Sequence, residues 1–145
     1  MILKSVNKKG VAVFKLSPKL IDERLAKQSE AGAAKSFYAW AIHEYPELEG
    51  LLFHVVNEGR RSFNNGADLK EMGLIKGVAD YIVLKPSGNH PYAVIEMKKT
   101  KGGTTSAEQN EFLISCHDAG GFACIAHGSD AAKYALKLYM DNKTV

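Results

Sequence analysis

The chain has 145 residues, a length suited to a single domain with a sizeable core. Hydrophobic content of 46% and charged content of 24% are ordinary for a globular protein, which excludes a disordered or collagen-like chain. A net charge of only +3 excludes a histone-like binder that holds nucleic acid by its overall charge, so any basic surface must be local.

Residues 1–16 suggest a β-hairpin, Ile2–Val6 and Val11–Leu16 about the turn Asn7-Lys8-Lys9-Gly10. An isolated hairpin is marginal in water, so this one is expected to pack on the rest of the chain or on a second subunit. Ser17-Pro18 offers an N-cap followed by proline at the first helical position, which predicts a short helix to about Lys27. Residues 1–28 are set apart as an N-terminal extension and 29–145 as the main domain.

The next helix is expected from Ser29, a capping residue, to Tyr45, where Pro46 ends it. Ala33, Phe37, Trp40 and Ala41 form its apolar stripe, with Glu44 as the polar end and Glu30 at the head. A carboxylate at the head of that stripe points toward the sheet, although a first-turn glutamate is also what the helix dipole favours. Leu51–Val56 reads as a strand, followed by the polar loop Asn57-Glu58-Gly59-Arg60-Arg61-Ser62 and a short helix from about Asn65 to Met72.

Two β-prone runs then flank a cluster of turn formers: Tyr81–Leu84, the loop Lys85–Pro91, and Tyr92–Ile95. Antiparallel pairing symmetric about Gly88 sets Asp80 opposite Glu96, to within a residue or two. Alternation then puts Glu96 and Lys98 on one face and Ile95 and Met97 on the other. A basic, glycine-rich loop follows, and Ser106-Ala107-Glu108-Gln109 is a capping box that opens a helix to about Ala119. Phe122–Ala126 is a further core strand, and Ser129 is expected to cap a last helix to about Asp141.

Two carboxylates and a lysine on one ribbon are what a hard cation such as Mg²⁺ or Mn²⁺ needs near a phosphate. The ion takes one or two carboxylates, keeps several waters and completes its shell with substrate oxygen. Lys98 can polarise an attacking water or offset charge on the phosphate under attack. The same short pattern also fits a surface ribbon with a merely structural acidic pair. Lys98-Lys99-Thr100-Lys101 and Arg60-Arg61 are the local basic patches that a phosphate backbone requires.

Cys116 and Cys124 form no metal-ligand pattern and are expected to be small buried hydrophobes. The five histidines show no zinc spacing, and only His54 and His90 are placed to approach the acidic pair. No apolar run approaches the roughly 18 residues of a membrane span. The first residues lack a signal-peptide core, so the expected place is the cytosol, that of the bacterial host for a phage protein.

Helix, three strands, helix, strand, with acids on the first helix and on the second and third strands, is an order that resembles the PD-(D/E)xK nuclease superfamily. More closely, the chain resembles the virus-type replication–repair nuclease (VRR-NUC) family. The matching stretches are Glu30 to Trp40, Val56 to Arg61, Leu69 to Asp80, Ile95-Glu96-Met97-Lys98, and Gly102 to Gln109, over roughly residues 29–135. The resemblance implies an α/β core, αβββαβ, with a mixed sheet flanked by helices and the N-terminal hairpin as an addition. It implies Asp80, Glu96 and the Met97 carbonyl as metal ligands, Lys98 as catalytic lysine, and Glu30 reaching the metal directly or through water. Gln109 would support the lysine or contact substrate, and Asn57, Arg60, Arg61, Lys99 and Lys101 would contact DNA. Members commonly carry a glutamine one turn after the helix glutamate, where this chain has Ala34.

The activity so implied is a metal-dependent DNA endonuclease, acting in replication, recombination or repair. A homodimer selective for branched DNA such as four-way junctions is expected, and symmetric cuts suit a two-fold dimer with the hairpin as a dimer element. The alternative is a nuclease-fold module that binds nucleic acid with weak or no catalysis.

Overall fold

The structure is a computed structural model and describes residues 1–56 and 63–145. One mixed sheet organises them. Six strands, β1 (Ile2–Val6), β2 (Ala12–Leu16), β3 (Leu52–His54), β4 (Tyr81–Val83), β5 (Ala93–Lys98) and β6 (Phe122–His127), lie in the order β1-β2-β6-β5-β4-β3. The helices are α1 (Glu23–Lys27), α2 (Glu30–Glu44), α3 (Phe63–Glu71), α4 (Ala107–Asp118) and α5 (Ser129–Met140). This is the expected α/β architecture.

The two central strands are parallel to each other, and α4 is the crossover that parallel strands require. Every residue of β5 and β6 is buried, as expected of strands covered on both faces. On one face Phe14, Phe37, Ile95, Met97, Cys124, Leu136 and Tyr139 form the larger core, under α2 and α5. On the other, Val11, Ala79, Val94, Leu113, Ala123 and Ile125 form a smaller one under α4. Antiparallel pairs flank this centre, β1 with β2 on one side and β3, β4 and β5 on the other.

The N-terminal hairpin joins the sheet directly: β2 runs parallel to β6, with Ala12 opposite Cys124. β1 is then an outer edge strand, with Leu3 and Val6 exposed.

Local differences from the sequence expectations have simple causes. Pro18 opens only a 3-10 turn, Pro18–Leu20, and α1 starts later, where the Asp22 carboxylate accepts from Leu25 N. Ser29 caps α2 by accepting from Gly32 N at 3.0 Å. Gly128, at φ +92°, takes the N-cap position of α5 in place of Ser129. Ser129 becomes the first helical residue, and its hydroxyl donates to the Ser36 hydroxyl. In α2 the buried stripe is Ala33, Phe37 and Ala41. Glu30 stands outside it, one position around the helix, at the head of Ala34 and Tyr38.

Candidate active site

β4 and β5 pair with Tyr81 opposite Ile95 and Val83 opposite Ala93. Continued one residue outward, that register sets Asp80 opposite Glu96, as symmetry about Gly88 requires. Asp80 is fixed at three points. Its Oδ2 accepts from Met97 N at 2.7 Å, its backbone carbonyl accepts from Val55 N at 2.8 Å, and His54 Nδ1 lies 2.9 Å from the same carbonyl.

Gly77 sets the approach to this aspartate. It has φ +82°, and a Cβ there would stand 2.4 Å from the Glu108 carbonyl carbon. Only glycine lets the 77–80 segment run this close under the first turn of α4.

On the α4 side of the ribbon, Glu96 and Lys98 are buried, at 2% and 8% exposure, and their charged ends meet at 3.6 Å. Gln109 joins them. Its Oε1 accepts from Lys98 Nζ at 3.2 Å and from Ser106 N at 2.8 Å, while its Nε2 donates to Glu96 Oε2 at 3.0 Å. Two donors on one side and a carboxylate on the other fix the orientation of the amide. The capping box and the contact with the lysine, which compete for Gln109 in the sequence, are made together.

Burial, first, and then the nearby Asp80 carboxylate push the Glu96 carboxyl up from its ordinary 4.5 to about 8, against a smaller opposing pull from Lys98. A buried carboxyl of this kind holds a proton that a divalent cation can replace. The donors at hand are oxygens: Asp80, Glu96 and the Met97 carbonyl. They fit a hard cation whose remaining positions go to water or phosphate. Among the described residues no three His, Cys, Asp or Glu side chains cluster closely enough to hold an ion alone. Glu30 is exposed and lines the same cleft as Asp80 and Met97.

That cleft, about 720 Å³ and open to solvent, is lined by Glu30, Ala34, Lys35, Tyr38, His54, Asp80, Tyr81 and Met97 among others. Lys35, Tyr38 and Tyr81 were not singled out in the sequence. The available signal was helical spacing, since Tyr38 follows Glu30 and Ala34 at four-residue steps. His54 is at the cleft as expected. His90 is not: it bonds the Gly120 carbonyl and the Thr144 hydroxyl at the other end of the sheet.

Lys99 and Lys101 are exposed on the loop after β5. The loop is anchored by His127, whose Nδ1 lies 3.1 Å from both the Lys99 and Gly102 carbonyls, and by Gly128 N donating to the Lys98 carbonyl at 2.8 Å. Desolvation holds the His127 imidazole below its usual pKa. Asn57, Arg60 and Arg61 lie outside the described residues.

A mixed six-stranded sheet with helices on both faces, an acid before its fourth strand, and an acid and a lysine on its fifth make an α/β fold consistent with a PD-(D/E)xK-like core. No family model matches the sequence, and no curated protein matches it. Among solved structures, the chain is similar to one described as "VRR_NUC domain protein", with a TM-score of 0.69 and 20% identity. The likeness covers 79% of this chain and 89% of that one, and it is a likeness of fold.

Proposed function

We propose that the chain is a metal-dependent endodeoxyribonuclease that hydrolyses phosphodiester bonds in branched DNA. The observation that carries this reading is the convergence of Asp80, Glu96, Lys98 and Gln109 at one end of the β4–β5 ribbon. The similar fold of a VRR_NUC domain protein supports it.

In this reading Asp80, Glu96 and the Met97 carbonyl would hold Mg²⁺ or Mn²⁺, and Glu30 would reach it directly or through water. The bound ion supplies Lewis acidity toward the phosphate and a more acidic water. Lys98, held between Gln109 and Glu96, keeps its ammonium aimed at the scissile phosphate and offsets the charge that develops there. Gln109 positions both neighbours. Lys99 and Lys101, with Arg60, Arg61 and Asn57, hold the flanking backbone. Phosphate contacts of this kind fix position without reading sequence, which favours DNA shape as the determinant. A homodimer would set two such sites across a four-way junction. A bacterial cytosol, with or without an infecting phage, supplies such DNA.

The burial of Glu96 and Lys98 favours a second reading, a nuclease-fold DNA-binding module with little turnover. Cleavage of labelled four-way junction, flap, duplex and single-stranded DNA separates the two. The assay is run with Mg²⁺, Mn²⁺ or EDTA, beside Asp80→Ala, Glu96→Ala and Lys98→Ala. Metal-dependent cutting by the wild type alone supports the nuclease. Binding without cutting supports the module.

A further inference from the structure

Beside Asp80 the cleft carries an aromatic shelf that metal chemistry does not require. Tyr81, buried at 4% exposure, is met edge-on by Phe37 at a centroid distance of 5.1 Å from the core side. On the cleft side Tyr38 stacks on it at 6.4 Å with 16° between planes, and the His54 ring leans against it at 5.3 Å. Tyr81 thus braces two rings that remain open, since Tyr38 is 37% exposed and His54 is exposed.

We propose that Tyr38 and His54 form the seat of one unpaired nucleobase next to the scissile phosphate. The substrate class is then DNA with at least one unpaired nucleotide at the cut: a splayed arm, a flap, or the crossing point of a junction. This rests on the DNA reading above and narrows it.

Three observations and the physics of stacking select that occupant. The shelf and Asp80 line one cleft together with Met97, so a base seated there brings its own phosphate to Asp80 and Met97. The carboxylates of Glu30 and Asp80 beside it disfavour a phosphate on the shelf itself, whereas a base is neutral. Lys35, exposed in the same lining, suits the next phosphate of the strand. Stacking on aromatic rings accepts any base, in keeping with recognition of shape over sequence. A base inside an intact duplex is already stacked and reaches the shelf only at the expense of unpairing, so fully paired DNA is the poorer substrate.

The test has two arms on the full chain. In the first, kcat/KM is measured with Mg²⁺ on a splayed duplex and on the matching full duplex, for wild type, Tyr38→Phe and Tyr38→Ala. Tyr38→Ala is expected to lose about tenfold on the splayed substrate, the scale of one lost base stack, and little on the full duplex, with Tyr38→Phe near wild type. In the second, 5-iodouracil is placed in the unpaired arm and irradiated in the complex with Ca²⁺ in place of Mg²⁺. The crosslink is expected at Tyr38 or His54. Equal losses on both substrates, or a crosslink elsewhere, overturn the shelf. A crosslink at Tyr38 or His54 in a protein that cuts nothing upholds the shelf and removes the nuclease reading. Failure to bind any DNA removes both.

Discussion

Gln109 and Glu96, thirteen residues apart, are joined side chain to side chain at 3.0 Å across the boundary between α4 and β5. The bond ties the first turn of a helix to the acidic pair, so the cap of α4 and the geometry of the carboxylate are one structure. Gln109→Ala should therefore lose both at once. Loss of the capping interaction is expected to cost about 1 kcal/mol of stability, read as a lower melting temperature. Cleavage should fall further than Ser106→Ala, which disturbs the cap alone, and kinetics of the two variants side by side check this.

The Glu96 carboxyl, raised from its ordinary 4.5 to about 8, makes stability depend on pH in metal-free protein. Between those values the folded chain holds a proton that the unfolded chain has released. Stability is then fully present below the ordinary carboxylate range and is lost as pH rises toward 8. Melting in EDTA buffers from acid to alkaline should show this fall, Glu96→Gln should flatten it, and Mg²⁺ should restore the wild type at the alkaline end. A flat wild-type profile would sink the raised pKa of Glu96.

Asp80→Ala and Asp80→Asn should part company in stability and agree in activity. Alanine leaves the Met97 N–H without its 2.7 Å acceptor, an expected loss of about 1–3 kcal/mol. Asparagine keeps an oxygen there and should stay close to wild type in denaturant titration. Both remove a charged ligand and should abolish metal-dependent cutting. Asparagine retaining activity would count against the metal role.

Lys99→Ala and Lys101→Ala should each weaken DNA binding about equally for all sequences and reduce the salt slope by about 1. Titrations of affinity against salt concentration measure it directly, and an unchanged slope would take that lysine off the backbone.

Gly77→Ala should destabilise by more than about 1 kcal/mol, since it meets both a positive φ and the Glu108 backbone. Chemical denaturation gives the number. An unaffected protein would mean that the 77–80 segment can withdraw from α4.

Much of the ribbon was legible because its information is local. The turn formers between Lys85 and Pro91 are centred on Gly88, and alternation along β5 separates Ile95 and Met97 from Glu96 and Lys98. Ser29 and Ser106 were legible as caps for the same reason. Ser129 misled because a capping residue and a first-turn residue look alike beside a glycine that can take φ +92°. The position of Glu30 slipped by one place around α2 because alanines on neighbouring faces, Ala33 and Ala34, leave the stripe ill-defined. The shelf is illegible in the sequence because Tyr38, Tyr81 and His54 come from three elements, which only the pairing of β3 with β4 and the packing of α2 on the sheet bring together. The partner of β2 was illegible for a related reason: no local pattern reports that Ala12 will lie beside Cys124.

That last pairing bears on how the chain matures during synthesis. β2 is made before its parallel neighbour β6, which follows only after β3, β4, β5 and α4, at roughly 5–20 residues per second. In the interval the apolar face of β2, with Phe14 and Leu16, has no sheet to join. Closing the sheet joins strands far apart in sequence, so folding should be slow for a domain of this size.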